Sequence, residues 1–339
     1  MSDKGGSLVV DKEGTKLIYA PDSPLVAIAS HVRSIASNRG TVIISGESGT
    51  GKDLIARALH FYSSRTDQIF LPIDCGVIPE TLIEAELFGH EKGAYTGAHK
   101  ERKGAFEEAD KGTLFLDEIV NLPSDMQAKL LRALESKTFV KLGSHIPVPF
   151  DVRIIAAASY DPKTAVGEGR FRQDLYHRLN VFTVKIPPLR ERPQDIAYLA
   201  GQFVDSENRA SSASLPYLSP ASLYHLQQYS WPGNVRELQN TITSAHHFAL
   251  RDGSAQILPI HFDLDLTAQP PSQARLVLTL NQDEILPFQT ASGHFEQEYL
   301  LTLFESVNWN FSKAAVVAGL SRTYIHRLVR KHGIKRPQS

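Results

Sequence analysis

A run of apolar and β-branched residues, Thr41-Val-Ile-Ile-Ser45, leads directly into Gly46-Glu47-Ser48-Gly49-Thr50-Gly51-Lys52-Asp53. Glycine costs roughly 1 kcal/mol inside a helix or strand, so this segment reads as a loop from a strand into a helix. In that setting the glycines let backbone N–H groups converge on phosphate oxygens, and the helix N-terminus adds partial positive charge. Lys52 would reach the terminal phosphates. A glycine-rich turn without a ligand is the plainer alternative. The position after the lysine holds Asp53, where the general motif has Ser or Thr to contact magnesium. A carboxylate there either reaches the metal through water or caps the helix.

Further along, Leu114-Phe115-Leu116-Asp117-Glu118 is an apolar strand ending in two acids. Asp117 can hold Mg²⁺, and Glu118 can polarise an attacking water. Paired with the phosphate loop, these acids make an ATP site the stronger reading. Thr113-Leu-Phe-Leu116, Val152-Arg-Ile-Ile-Ala-Ala157 and Val181-Phe-Thr-Val-Lys-Ile186 suit strands buried on both faces of a parallel sheet. Ser124–Ser136 lies between two of them and carries Met126, Leu130, Leu131 and Leu134 at helical spacing. The fold class is α/β, a parallel-sheet core over 21–186. Residues 1–20 read as a loosely ordered arm. Pro187-Pro188 ends the sheet region, 187–262 reads as helical, 263–290 as a linker, and 291–339 as an all-helical module.

The net charge of −1 gives the whole chain no nucleic-acid signature, but the charge is unevenly placed. From Ser306 to Ser339 there are seven Lys and Arg residues and no Asp or Glu. Within that stretch Ser312 to Arg330 reads as helix, glycine turn at Gly319, helix, with Ser321 as the second N-cap. Ile325, Leu328 and Val329 make its apolar stripe. Ser321, Arg322, Thr323, Tyr324, His326, Arg327 and Arg330 are candidate contacts to double-stranded DNA. A plain basic amphipathic helix is the alternative. The single cysteine, Cys75, excludes an intrachain disulfide and sits in an apolar run where packing is expected. No stretch approaches a membrane span and the start lacks a signal peptide's apolar core, so a cytoplasmic location is expected.

Two features remain. Gly93-Ala94-Tyr95-Thr96-Gly97-Ala98 brackets an aromatic and a threonine between glycines, which suits a loop tip inserted into the core. Arg172 and Arg178 lie six apart, where surface ion pairing competes with the external arginine that phosphoryl transfer often needs.

These segments, with Glu86-Leu-Phe-Gly-His-Glu-Lys-Gly93, Phe171-Arg-Gln-Asp-Leu-Tyr-His-Arg-Leu179, Pro187-Pro-Leu-Arg-Glu-Arg192 and Trp231-Pro-Gly-Asn-Val-Arg-Glu-Leu238, resemble the bacterial sigma-54 activators, or enhancer-binding proteins, of the AAA+ ATPase superfamily. The resemblance covers about 21–250 and the C-terminal module. It implies an AAA+ P-loop core with a helical lid, followed by a helix-turn-helix domain. It further implies that Gly46 to Asp53 bind ATP with Mg²⁺ at Asp117, that Glu118 is the catalytic acid, and that Arg236 is the lid's sensor. Arg172 and Arg178 match arginine fingers supplied to a neighbouring subunit. The implied partners are sigma-54 factor with RNA polymerase at Gly93 to Ala98, aided by a second loop around 138–149, enhancer DNA, and further copies of the chain, from dimer to hexamer. No receiver or ligand-sensing domain fits into 1–20, so control is expected from expression level or from a protein regulator that binds the ATPase.

Departures from the family pattern are expected to matter. Tyr95 stands where phenylalanine is usual, and Asp53 shortens a usual glutamate. Asp74 replaces an asparagine thought to restrain the catalytic glutamate, so it should repel Glu118 instead of bonding it. Ala158-Ser159 replaces a Thr-Asn pair that senses the terminal phosphate. Two other readings stay open: an AAA+ machine without a transcription role, and a DNA-binding repressor with a degenerate ATPase.

Overall fold

The computed structural model describes residues 6–94, 100–211 and 217–264. In the C-terminal segment it describes 297, 299–301, 303, 304, 307, 309–311, 314, 322–332 and 334. Five strands form the central sheet in the order β11-β3-β10-β7-β4, all parallel. They are β3 (Val42–Ser45), β4 (Phe70–Asp74), β7 (Thr113–Asp117), β10 (Arg153–Ala158) and β11 (Phe182–Lys185). The inner strands are short apolar runs because both faces are covered: every residue of β3 and β10 is buried. Their side chains alternate between two cores. Val42, Ile44, Phe115, Ile155, Ala157 and Val184 pack with α1 (Leu25–Ala36) and α2 (Lys52–Phe61). Ile43, Leu114, Leu116, Ile154 and Ala156 face α3 (Glu80–Phe88), α4 (Ala105–Glu108), α5 (Ser124–Ser136), α6 (Pro162–Gly167) and α7 (Gln173–Leu179).

The N-terminal residues differ from the loose arm expected for 1–20. β1 (Gly6–Val9) and β2 (Lys16–Tyr19) form an antiparallel hairpin with full register from Gly6↔Tyr19 to Val9↔Lys16. Leu8, Val10, Leu17 and Tyr19 alternate inward and are buried against α1 and α2. Apolar alternation about a turn, with Gly14 at φ +83°, is the local cause. β4 is a second addition, a strand despite Pro72. It lies at the sheet edge, where a missing N–H breaks no ladder.

Two short hairpins project from the core: β5 (Gly89–His90) with β6 (Arg102–Lys103), and β8 (Thr138–Val140) with β9 (Pro147–Pro149). The following helices α8 (Pro193–Ala210), α9 (Pro220–Gln228) and α10 (Asn234–Arg251) surround Trp231, whose indole donates to Leu226 O at 2.8 Å. This region is not purely helical, because β12 (Tyr217–Leu218) pairs in parallel with β13 (Gln256–Ile257).

Asp195 fastens this helical subdomain to the core. Fully buried in the first turn of α8, it accepts from Ala20 N and Ser23 Oγ at 2.7 Å each, and from Arg192 Nη1 at 3.3 Å. Burial holds the Arg192 guanidinium below its ordinary pKa, with Asp195 pulling it back. Asp195→Ala leaves that cation buried without its carboxylate, so a loss of about 3–5 kcal/mol is expected, read as a lower urea midpoint. An unchanged midpoint would show that the tie is dispensable.

A separate compact unit spans Pro270–Ser339. Among its described residues, Leu300, Leu303, Phe304, Ala314, Ile325, Leu328 and Ile334 share a core. Its last helix is α11 (Arg322–Lys331).

Candidate active site

All five parallel strands finish at one edge of the sheet, and the loops leaving that edge build the site. β10 lies between β3 and β7, so Ser159, just beyond β10, falls between the loop after β3 and the acids after β7. On the other side of β7, Asp74 is in register with Asp117. A cavity of about 630 Å³ opens here, lined by Ser48 to Leu54, Asp74, Asp117 and Glu118. Gly46 and Glu47 lie outside its lining. The remaining walls come from parts the sequence did not point to: Thr15 to Ile18 of the hairpin, Arg192, Leu199 and Phe203, and Val235 and Gln239 beside the expected Arg236. The alternation Leu8, Val10, Leu17, Tyr19 was the available signal for the hairpin wall.

Lys52 opens α2 and is buried. Its ammonium donates to Gly46 O at 2.9 Å and Ser159 Oγ at 3.2 Å, and lies 3.4 Å from Glu118 Oε1. Glu118 has φ +52°, in the left-handed region that costs a residue with a side chain about 1–3 kcal/mol and clusters at functional sites. Its Oε2 accepts from Ser159 N at 3.1 Å and its Oε1 from Ser159 Oγ. Asp74 Oδ1 accepts instead from Gly76 N at 2.9 Å. Burial pushes the Asp117 carboxyl above its usual range, and Lys52 pulls it back. Asp53 is exposed in the first turn of α2, where its charge complements the helix N-terminus. Cys75 is buried, and burial with the nearby Asp74, Asp117 and Glu118 pushes its thiol up to about 12. It is an inert packed thiol.

The helical subdomain is bonded to the phosphate loop itself. Arg190 grips Glu47 through two bonds of 2.6 and 2.8 Å and, with Asn234, holds that carboxyl below its usual range. Asn234, fully buried, donates to Ser48 O at 3.0 Å and accepts from Leu189 N at 2.7 Å. Val235 N donates to Gly49 O at 3.0 Å, and Arg236 Nη1 reaches Ser48 Oγ at 3.4 Å. The approach is so close that a Cβ at Gly49, φ +77°, would sit 2.2 Å from Gly233 O.

Arg172 and Arg178 do not line this cavity. Arg172 is exposed and paired with Asp174 at 2.7 Å, and Arg178 donates to Leu134 O at 2.8 Å. Gly93 and Ala94 end the described part of the candidate loop, while Tyr95, Thr96, Gly97 and Ala98 lie outside the described residues. Its base is bound to the 138–149 hairpin: Glu91 N donates to Leu142 O at 2.9 Å and Leu142 N to Gly89 O at 3.0 Å. In the C-terminal unit Ser321 lies outside the described residues, as do the side chains of Arg322, Thr323 and Tyr324. His326, Arg327 and Arg330 are exposed on α11, with His326 stacked on Phe311 at 4.3 Å.

Comparison with known proteins gives a match to the Sigma-54 interaction domain over residues 18–185 and to the AAA+ ATPase lid domain over 190–277. The Sigma54-dependent transcriptional activator SfnR of Pseudomonas putida is 46% identical, over 87% of this chain and 82% of that protein. Regulatory protein AtoC of Escherichia coli is 39% identical over 91% of this chain. The chain spans 66% of AtoC's length, 60% of SfnR of Pseudomonas fluorescens and 57% of nitrogen fixation protein AnfA of Azotobacter vinelandii. Among solved structures, NtrX from Brucella abortus in complex with ADP superimposes with a TM-score of 0.69 at 30% identity, over 91% of this chain and 68% of that one. NtrX has also been solved in complex with ATP.

Proposed function

Because the chain belongs to the sigma-54-dependent transcriptional regulators built on an AAA+ ATPase domain, we propose that it is an ATP-driven transcription activator. It binds enhancer DNA through its C-terminal unit, assembles into a ring, and uses ATP hydrolysis to remodel sigma-54 RNA polymerase into the open complex. The observation that carries this reading is the cavity where Lys52, Asp117, Glu118 and Arg236 converge on a glycine loop.

The residues present suit ATP with magnesium. Backbone N–H groups of the loop and the buried ammonium of Lys52 favour phosphate oxygens. Asp117, a half-buried carboxylate next to that site, is the group to hold Mg²⁺, which supplies neutralisation of phosphate charge when bound. Glu118 takes the proton of the attacking water. Arg236, on α10, reads the bound nucleotide from the lid side. Relatives of this architecture support the choice, since NtrX binds ATP and ADP.

The loop at Gly93 to Ala98 is the contact to sigma-54, steadied by the 138–149 hairpin bonded to its base. Tyr95 and Thr96 are the only substantial side chains on that tip, and aromatic anchors dominate interface energetics. Tyr95→Ala and Thr96→Ala are expected to keep most ATP turnover and lose promoter opening. Tyr95→Phe, which keeps the ring, stays active. ATP turnover and open-complex formation by sigma-54 polymerase are measured on the same preparations. Normal promoter opening by both alanine variants would overturn the assignment of this loop, and with it the choice of an activator over a generic AAA+ machine.

A further inference from the structure

Glu118 can be approached from two sides of β7, and the two sides offer opposite chemistry. On the β4 side stands Asp74, in register with Asp117 and itself a carboxylate. It accepts from Gly76 N and offers no proton to another acid. On the β10 side stands Ser159, with a backbone N–H and a hydroxyl. Like charges repel and donors attract, so the Glu118 side chain turns to β10. There Ser159 N, Ser159 Oγ and Lys52 Nζ surround it.

We infer that Ser159 is a positioning residue that latches Glu118 in a resting orientation, on the opposite side of its strand from Asp74. The inference rests on the reading of this cavity as an ATP-hydrolysing site. A carboxylate whose oxygens accept from an N–H and an O–H and are ion-paired with an ammonium is held away from an attacking water. The latch is tied to the phosphate loop at two points. Gly46 N donates to Ala158 O at 3.2 Å, one residue before Ser159. Lys52 touches both Ser159 Oγ and Glu118. When Lys52 turns to phosphate oxygens, Glu118 loses its ion pair, and the two donors from Ser159 remain to be released.

The test uses the full chain. Ser159→Ala removes the hydroxyl and keeps the N–H. A hydrogen bond to a charged group is strong enough that its loss should raise kcat for ATP roughly tenfold, with KM unchanged. Ser159→Thr, which restores a hydroxyl, should return kcat to that of the unsubstituted chain. A second readout needs no turnover. In nucleotide-free protein, urea midpoints of Ser159→Ala, Glu118→Ala and the double variant should be non-additive, the double shifting less than the sum of the singles. A kcat that stays level or falls in Ser159→Ala, or additive midpoints, would overturn the latch. Absence of ATP hydrolysis by the unsubstituted chain would instead remove the reading of the cavity, and the midpoints would still decide whether Ser159 and Glu118 form a pair.

Discussion

Glu118→Gln is expected to bind ATP as the unsubstituted chain does and to turn it over about 10²–10⁴-fold more slowly, the usual worth of a positioned general base. Lys52→Ala is expected to fail at the earlier step, binding itself. The difference follows from placement. Lys52 is the buried ammonium beside Glu118, and removing it leaves Asp74, Asp117 and Glu118 facing an anionic ligand alongside the lining cations Lys16, Arg192 and Arg236. Glu118 is itself an acid, and its amide keeps the shape and one of the two acceptors for Ser159 while abolishing basicity. Nucleotide binding and phosphate release, measured on the same preparations, separate the two effects. Full turnover by either variant would contradict the assignment of the site.

The parts of this site that were legible in the sequence are those whose local residues dictate them. β3, β7 and β10 are short apolar runs because each is covered on both faces, β11 is an edge strand with Val184 alone fully buried, and the phosphate loop follows from its glycines and its place between strand and helix. α5 shows its buried face at helical spacing. The parts that were not legible depend on distant partners. Pro72 argues locally against a strand, and only its place at the sheet edge makes β4 possible. The β1–β2 hairpin carries clear alternation, but its role as a cavity wall comes from packing on α1 and α2. Glu47 lies within the phosphate loop, yet its carboxylate serves Arg190 and Asn234, 143 and 187 residues away. Ser159 looked like a weakened phosphate sensor, and its bond to Glu118 appears only once β10 is known to lie between β3 and β7.

Arg178→Ala is expected to lower ATP turnover about 10³–10⁵-fold, the effect of losing an arginine that neutralises transition-state charge, while leaving nucleotide binding intact. Neither Arg172 nor Arg178 lines the cavity of its own chain, and both are exposed, so a part in hydrolysis requires the proposed ring to bring them to a neighbour's site. The alternative is a purely structural role, since Arg172 pairs with Asp174 and Arg178 holds the end of α5 through Leu134 O. Mixing variants distinguishes the two. An Arg178→Ala subunit keeps an intact pocket and lacks a finger, and a Lys52→Ala subunit keeps its fingers and lacks a pocket. In an equal, random mixture half the pockets are intact and half of those meet an intact finger, so about one quarter of the interfaces of a head-to-tail ring are complete. Activity should therefore appear in a mixture of two inactive parents. If the arginine acted within its own chain, every active site in the mixture would carry one defect or the other, and no activity would appear at any ratio. Co-assembly is checked first by pulling down one variant through a tag carried by the other. Silent mixtures of confirmed mixed rings would return Arg178 to the structural role and remove the shared active site from the proposed mechanism.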